Sequence, residues 1–190
     1  MTHKGSVGRS FIGTAHIMDD NDNELPPGKP GVVYYSSGQE FKYHNDREKT
    51  AASLNSRGWS TIGDIGYLDQ EGYLYLTDRA INMIISGGVN IYPQEAENVL
   101  VVHPKVIDAA VFGVPNEEFG EEVKGVVQPA DAANVGPELE RELIEYCRSK
   151  LAKIKCPVSI DFEARLPRTN TGKLLKHLLK DRYWEGDKKI

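Results

Sequence analysis

Thr77-Asp-Arg-Ala-Ile-Asn-Met-Ile-Ile-Ser-Gly-Gly-Val-Asn-Ile-Tyr-Pro-Gln-Glu-Ala-Glu-Asn-Val-Leu100 is the stretch that decides the fold. Asp78-Arg79 follows a strand-like run. Two short apolar runs, Met83 to Ile85 and Val89 to Tyr92, flank Ser86-Gly87-Gly88. A Gly-Gly step between such runs predicts a tight hairpin, because both central residues can take φ > 0. Pro93 suits the first turn of a helix, where its missing N–H costs nothing. Ala96, Val99 and Leu100 then recur at helical spacing. The stretch therefore reads as a hinge candidate, a hairpin and a helix.

Upstream, the chain reads as antiparallel strands separated by turn clusters. Phe11 to Met18 and Val32 to Tyr35 predict strands. Asp19 to Glu24 and Pro26 to Gly31 are turns. Asp46 can cap a short helix reaching Leu54. Asp69-Gln-Glu-Gly72 turns into the strand Tyr73 to Thr77. This part has few covering helices and too few partners to hide its edges. Downstream, Val106 to Val114 is almost continuously apolar and suits a strand buried on both faces. Glu122 to Gln128 and Val158 to Phe162 predict further strands. Pro137 to Leu151 predicts a helix with the stripe Leu139, Leu143, Ile144, Cys147 and Leu151. Leu174 to Tyr183 predicts a terminal helix. The fold class is α+β: a small domain with a three-stranded sheet, packed helices and a two-stranded hairpin, preceded by a β-rich remnant.

The chain has 190 residues and a net charge of −5, which argues against a general nucleic-acid binder. Charge is unevenly spread. Arg165, Arg168, Lys173, Lys176, Lys180 and Arg182 face Asp181 alone within their segment, which reads either as a solvated helix face or as a phosphate patch. Cys147 and Cys156 make no CxxC pair and suggest a reducing compartment. Cys147, on the apolar helix stripe, reads as a structural thiol. The histidines lack metal-ligand spacing, so no metal site is expected. No signal peptide or transmembrane run is visible, and the chain reads as cytoplasmic.

The motif order resembles that of the adenylate-forming (AMP-binding) enzymes, most closely the acyl-CoA synthetases. Their C-terminal domain opens with Asp-Arg, an apolar run, Gly-Gly, Asn-Ile-Tyr-Pro and Glu-x-Glu. Here these are Asp78-Arg79, Gly87-Gly88, Asn90 to Pro93, and Glu95 with Glu97. Upstream, Gly5 to Arg9, Tyr43 to Asp46 with Thr50, Gly58-Trp59, Gly63-Asp64 and Asp69 to Gly72 follow the end of the family's N-terminal domain. Pro167-Arg168-Thr169-Asn170-Thr171-Gly172-Lys173 matches its Pro-[Arg/Lys]-Thr-x-[Ser/Thr]-Gly-Lys loop throughout. Three positions depart: Ile81-Asn82 replaces Lys-Asp, Ile62 replaces a Thr before Gly-Asp, and Gly31-Val32 replaces Gly-Glu. The family's phosphate loop and Tyr-Gly-x-Thr-Glu motif are not in this sequence.

The resemblance implies two parts: residues 1–77, the incomplete end of an adenylation domain, and residues 78–190, a mobile C-terminal domain. It also implies roles. Lys173 would be the catalytic lysine of adenylation, bridging the substrate carboxylate and the α-phosphate of ATP. By chemistry alone, its loop offers hydroxyls, a permissive backbone and an ammonium to a phosphate; a solvated lysine is the plainer reading. Asp64 would accept the ribose hydroxyls, although a strand-end carboxylate needs no ligand. Arg79 would reach ribose or phosphate, or else make a surface ion pair. Asp78 would be the hinge, or else a turn residue. Gly87 and Gly88 would line the pantetheine path of coenzyme A, or else form a plain turn. Lys150, Lys153 and Lys155 read as solvated, with CoA phosphate contact the alternative. Glu95 and Glu97 are accounted for by the helix dipole.

The implied activity is that of an acid–thiol ligase. A fatty or aryl carboxylic acid, ATP with Mg²⁺, and CoA would be its substrates, and the missing N-terminal adenylation domain its necessary partner. The isolated chain is expected to be inactive. Two rivals stand beside this reading. One is transfer to a carrier-protein phosphopantetheine, although no carrier domain follows up to Ile190. The other is a non-catalytic binding module acting in trans.

Overall fold

The structure, a computed structural model, describes residues 3–38 and 41–184. The chain divides into two compact units, Met1–Ile81 and Asn82–Ile190.

The first unit is a four-stranded antiparallel sheet, in the order β1 (Thr14–Met18), β2 (Gly31–Ser36), β3 (Asp64–Leu68), β4 (Leu74–Arg79). Ile17, Val33 and Leu74 form its core. Helix α1 (Arg47–Ala52) starts as expected, with the Asp46 carboxylate accepting the Lys49 N–H. The strand predicted from Phe11 begins only at Thr14. The Ser10 hydroxyl donates to the carbonyls of Ile12 and Gly13 and folds this segment into a turn, leaving Phe11 exposed.

The second unit is built on a long antiparallel pair, β7 (Val106–Asn116) and β8 (Gly120–Pro129). Strand β9 (Ser159–Phe162) joins β8 in parallel. The expected hairpin is formed by β5 (Ile84–Ser86) and β6 (Val89–Ile91). It attaches to β8 through Ser86 and Gly120, giving five strands. At its tip Gly87 and Gly88 have φ of 56° and 78°, the left-handed pair that a two-residue turn needs.

Helix α2 (Pro93–Leu100) buries Ala96 and Leu100. Helix α3 (Pro137–Arg148) buries Leu139, Leu143, Ile144 and Cys147. It ends three residues before Leu151, which still packs on the same core because its N–H reaches back to the Cys147 carbonyl. Both helices cover one face of the sheet, meeting Ala109, Val111, Val123 and Val127. Helix α4 (Lys176–Trp184) covers the other face, where Ala110, Phe112, Val114 and Val126 meet Leu166 and Leu179. Strand β7 is thus covered on both faces, as its apolar run requires.

Outer strands leave backbone N–H groups without strand partners, and buried ones must be satisfied elsewhere. Two glutamates do this. The Glu97 carboxylate on α2 accepts the Val111 N–H of β7 at 2.7 Å, and the Glu140 carboxylate on α3 accepts the Ile160 N–H of β9 at 2.9 Å. Glu97 is only 4% exposed and lies 2.7 Å from the ammonium of Lys176 on α4. That contact is close in distance but poorly aligned for a hydrogen bond. A helix-dipole role does not account for Glu97; it joins α2, β7 and α4.

Burial pushes the Cys147 thiol up to about 12, with the neighbouring Cys156 adding to the shift. The thiolate is the reactive form. Neither cysteine should therefore react with a thiol reagent at pH 8 in the folded chain, and both should react in denaturant. Prompt labelling of Cys147 in the native chain would contradict the structural role.

Candidate functional site

In the first unit, Asp64 and Arg79 lie opposite each other where β3 meets β4. The Arg79 Nε donates to Asp64 Oδ1 at 3.4 Å; the Arg79 side chain is half exposed and that of Asp64 less so. A pair this open adds little to stability, but it sets a carboxylate and a guanidinium side by side at one end of the β3–β4 pair. Asp78 is not in a turn. It is a β4 residue paired with Ile65, 9% exposed, whose carboxylate accepts the Arg79 N–H. The chain then makes a short 3₁₀ turn, Ala80–Asn82.

In the second unit, Lys173 is exposed and makes no ion pair among the described residues. Its loop is tightly turned. The Thr169 N–H donates to the Lys173 carbonyl, the Gly172 N–H donates to the Thr169 carbonyl, and the Lys173 N–H donates to Thr169 Oγ1. Thr169 and Thr171 hydroxyls lie 2.8 Å apart. These hydroxyls, read from sequence as phosphate ligands, shape the turn that presents Lys173. Gly172 permits that turn with φ of 86°.

Most of the basic segment around Lys173 is paired, although Arg165 is exposed and makes no ion pair among the described residues. Arg168 pairs with Asp108, Lys176 with Glu97, Lys180 with Glu121 and Arg182 with Glu163. Each acidic partner lies far away in sequence, so no local pattern announces it. The same holds for Lys155, which reads as solvated but donates to both oxygens of Glu95 at 2.8 Å. Exposed Lys173, like Arg165, makes no ion pair among the described residues, in contrast to these paired neighbours.

The Gly87-Gly88 tip and the Lys173 loop sit at opposite ends of the β7–β8 ladder. The Gly87 N–H donates to the Phe119 carbonyl, beside the β7–β8 turn. The Lys173 loop is tied to Asp108, and the nearby Leu166 N–H to the Gln128 side chain, both at the other end. From Asp108 to Asn116 the ladder spans roughly 25 Å at the usual strand rise. A side chain at Gly87 would meet the Phe119 ring at 3.2 Å, whereas one at Gly88 would enter open space.

Comparison with known proteins places this arrangement. The model of the AMP-binding enzyme C-terminal domain matches residues 95–173. A long-chain-fatty-acid–CoA ligase of Escherichia coli O6:H1 is 38% identical over 180 residues, covering 94% of this chain and 31% of that protein. A feruloyl-CoA synthase of an Amycolatopsis species is likewise 38% identical, with 94% and 36% covered. The solved structure of ATP-bound MatB from Rhodopseudomonas palustris matches with a TM-score of 0.83 at 34% identity, over 94% of this chain and 36% of that one. The chain spans about a third of the length of these relatives. The chain is thus similar over nearly its whole length to about a third of these adenylate-forming, AMP-binding enzymes, and its residues 95–173 match their C-terminal domain.

Proposed function

We propose that this chain forms the C-terminal part of an acyl-CoA synthetase, with residues 1–77 ending the adenylation domain and 78–190 forming a mobile C-terminal domain. The complete enzyme joins a fatty or aryl carboxylate to the α-phosphorus of ATP and releases pyrophosphate. It then passes the acyl group to the thiol of CoA and releases AMP. Lys173 serves the first step, its ammonium lying between the carboxylate and the α-phosphate as charge shifts there. Asp64 accepts ribose hydroxyls, and Arg79, already beside it, reaches the same nucleotide. Mg²⁺ enters with the triphosphate as part of the ATP substrate. Gly87 and Gly88 flank the path of the pantetheine thiol.

One observation supports this reading above the others: two chemically distinct loops at opposite ends of one rigid ladder. A single reaction centre can be served by both only if the domain turns between steps. Asp78, at the strand end before the 3₁₀ turn, is the proposed hinge.

The half-reactions, measured separately in the complete enzyme, test the assignment of the hairpin. Gly88→Lys should slow thiol transfer from a supplied acyl-adenylate by about tenfold or more and leave adenylate formation within twofold or so. Gly88→Ala carries the backbone strain of the left-handed position without the bulk, and should retain transfer. Equal loss in both variants would mean a strained turn rather than an obstructed path.

A further inference from the structure

The loop that presents Lys173 is gripped by a side chain for which the proposed chemistry has no use. Arg168 donates from Nε to Asp108 Oδ2 at 2.8 Å and from Nη2 to Asp108 Oδ1 at 2.7 Å. These two parallel bonds are the fork geometry that guanidinium and carboxylate favour. Its third bond runs from Nη1 to the Gly172 carbonyl at 2.5 Å. That carbonyl belongs to the peptide joining Gly172 to Lys173. One side chain therefore ties the Lys173 peptide to strand β7.

A bulge lies immediately before Asp108. Val106 pairs with Pro129 and Asp108 with Gln128, so Ile107 is an extra residue. Strand residues alternate between faces, and the bulge shifts that alternation by one. Val106 consequently belongs to the α2–α3 core with Ala109 and Val111. Ala110, Phe112 and Val114 point to the α4 side, and Asp108 shares their parity. Without the bulge, Val106 and Asp108 would share a face. Asp108 thus faces the Lys173 loop by the regular alternation of β7, and the bulge before it returns Val106 to the opposite core.

We propose that Arg168 and Asp108 form a positioning clamp for Lys173, acting on the loop backbone without touching substrate. The proposal rests on the role assigned to Lys173 above. A lysine ammonium rides on a flexible four-carbon stem, so its placement depends on how firmly its backbone is held. Gly172 immediately before it adds backbone freedom, and the clamp removes that freedom at the same peptide. Misplacement by 1 Å can cost about 10²-fold in rate. The ion pair is partly open, with side-chain exposures of 38% for Arg168 and 17% for Asp108, so its contribution to global stability is small. Its effect belongs in the loop and in one half-reaction. Lysine cannot replace arginine here, because one ammonium cannot form the planar fork and reach Gly172 in the same geometry.

The test has two arms. In the 190-residue chain, hydrogen exchange is followed for Arg168→Lys, Asp108→Asn and the double variant. The amides of Thr169, Gly172 and Lys173 should exchange about tenfold faster, while those of Ala110 and Val126 keep wild-type protection. The double variant should match the single ones, as partners in one clamp require. Unchanged loop exchange would overturn the clamp, and so would loss of protection throughout β7 and β8. In the complete enzyme, the same variants should lower kcat for adenylate formation about tenfold, with the KM for ATP and the thiol-transfer step unchanged. A loosened loop with unaltered adenylation would overturn the positioning role, provided Lys173→Ala is slow. If Lys173→Ala itself adenylates normally, the Lys173 assignment fails, and the exchange arm still decides whether the clamp exists.

Discussion

Replacing Lys173 with alanine in the complete enzyme should slow acyl-adenylate formation by about 10²- to 10³-fold, the usual loss for one preorganised electrostatic donor. Transfer from a supplied acyl-adenylate to CoA should remain largely intact. The expectation comes from placement. Lys173 is exposed and makes no ion pair among the described residues, while Arg168, Lys176, Lys180 and Arg182 around it are all engaged. Its loop lies at the ladder end away from the Gly87-Gly88 tip. Removing its ammonium should therefore damage one step. Single-turnover measurement of each half-reaction decides the matter. Equal damage to both would mean that the domain does not turn or that Lys173 is structural.

The second large effect is on stability and needs only the 190-residue chain. Glu97→Ala should lower the unfolding free energy by about 3–5 kcal/mol, the range for breaking a buried ion pair from one side. The variant strands the Lys176 ammonium and leaves the Val111 N–H without an acceptor. Lys176→Met should cost less, since Glu97 keeps its backbone partner. The double variant Glu97→Gln with Lys176→Met keeps a carbonyl for Val111 and removes both charges, so it should recover most of the loss. Denaturant midpoints give the ranking. Equal destabilisation by Glu97→Ala and the double variant would mean that shape, not charge, holds α2 to α4.

Local patterns revealed the fold more fully than the site. The Gly87-Gly88 turn, the Asp46 cap, the α3 stripe and the apolar β7 run are each short-range signals, and each governs its own element. The extent of the sheet was less legible, because the hairpin joins β8 through one residue pair at Gly120, more than thirty residues away. The charged residues were least legible. Glu97 looks like any acid near the start of a helix, and nothing near it names Lys176 or Val111. Arg168 lies inside the most recognisable motif in the chain, yet its partner Asp108 is sixty residues upstream, on a different element. Lys173 could be picked out by its motif, but not the hydroxyls around it, which bond within the turn.

The two outer-strand glutamates affect how the protein fails as well as how it folds. An open strand edge recruits other strands by offering free N–H groups to their carbonyls. At Val111 and Ile160 the offered N–H is already held by a carboxylate fixed to a helix. An incoming carbonyl must displace a charged acceptor that the helix keeps returning to its place. Strand addition at these edges is therefore gated by detachment of α2 or α3. Self-association should appear only under conditions that loosen those helices, and Glu97→Ala or Glu140→Ala should bring it into solutions where the wild-type chain stays monodisperse.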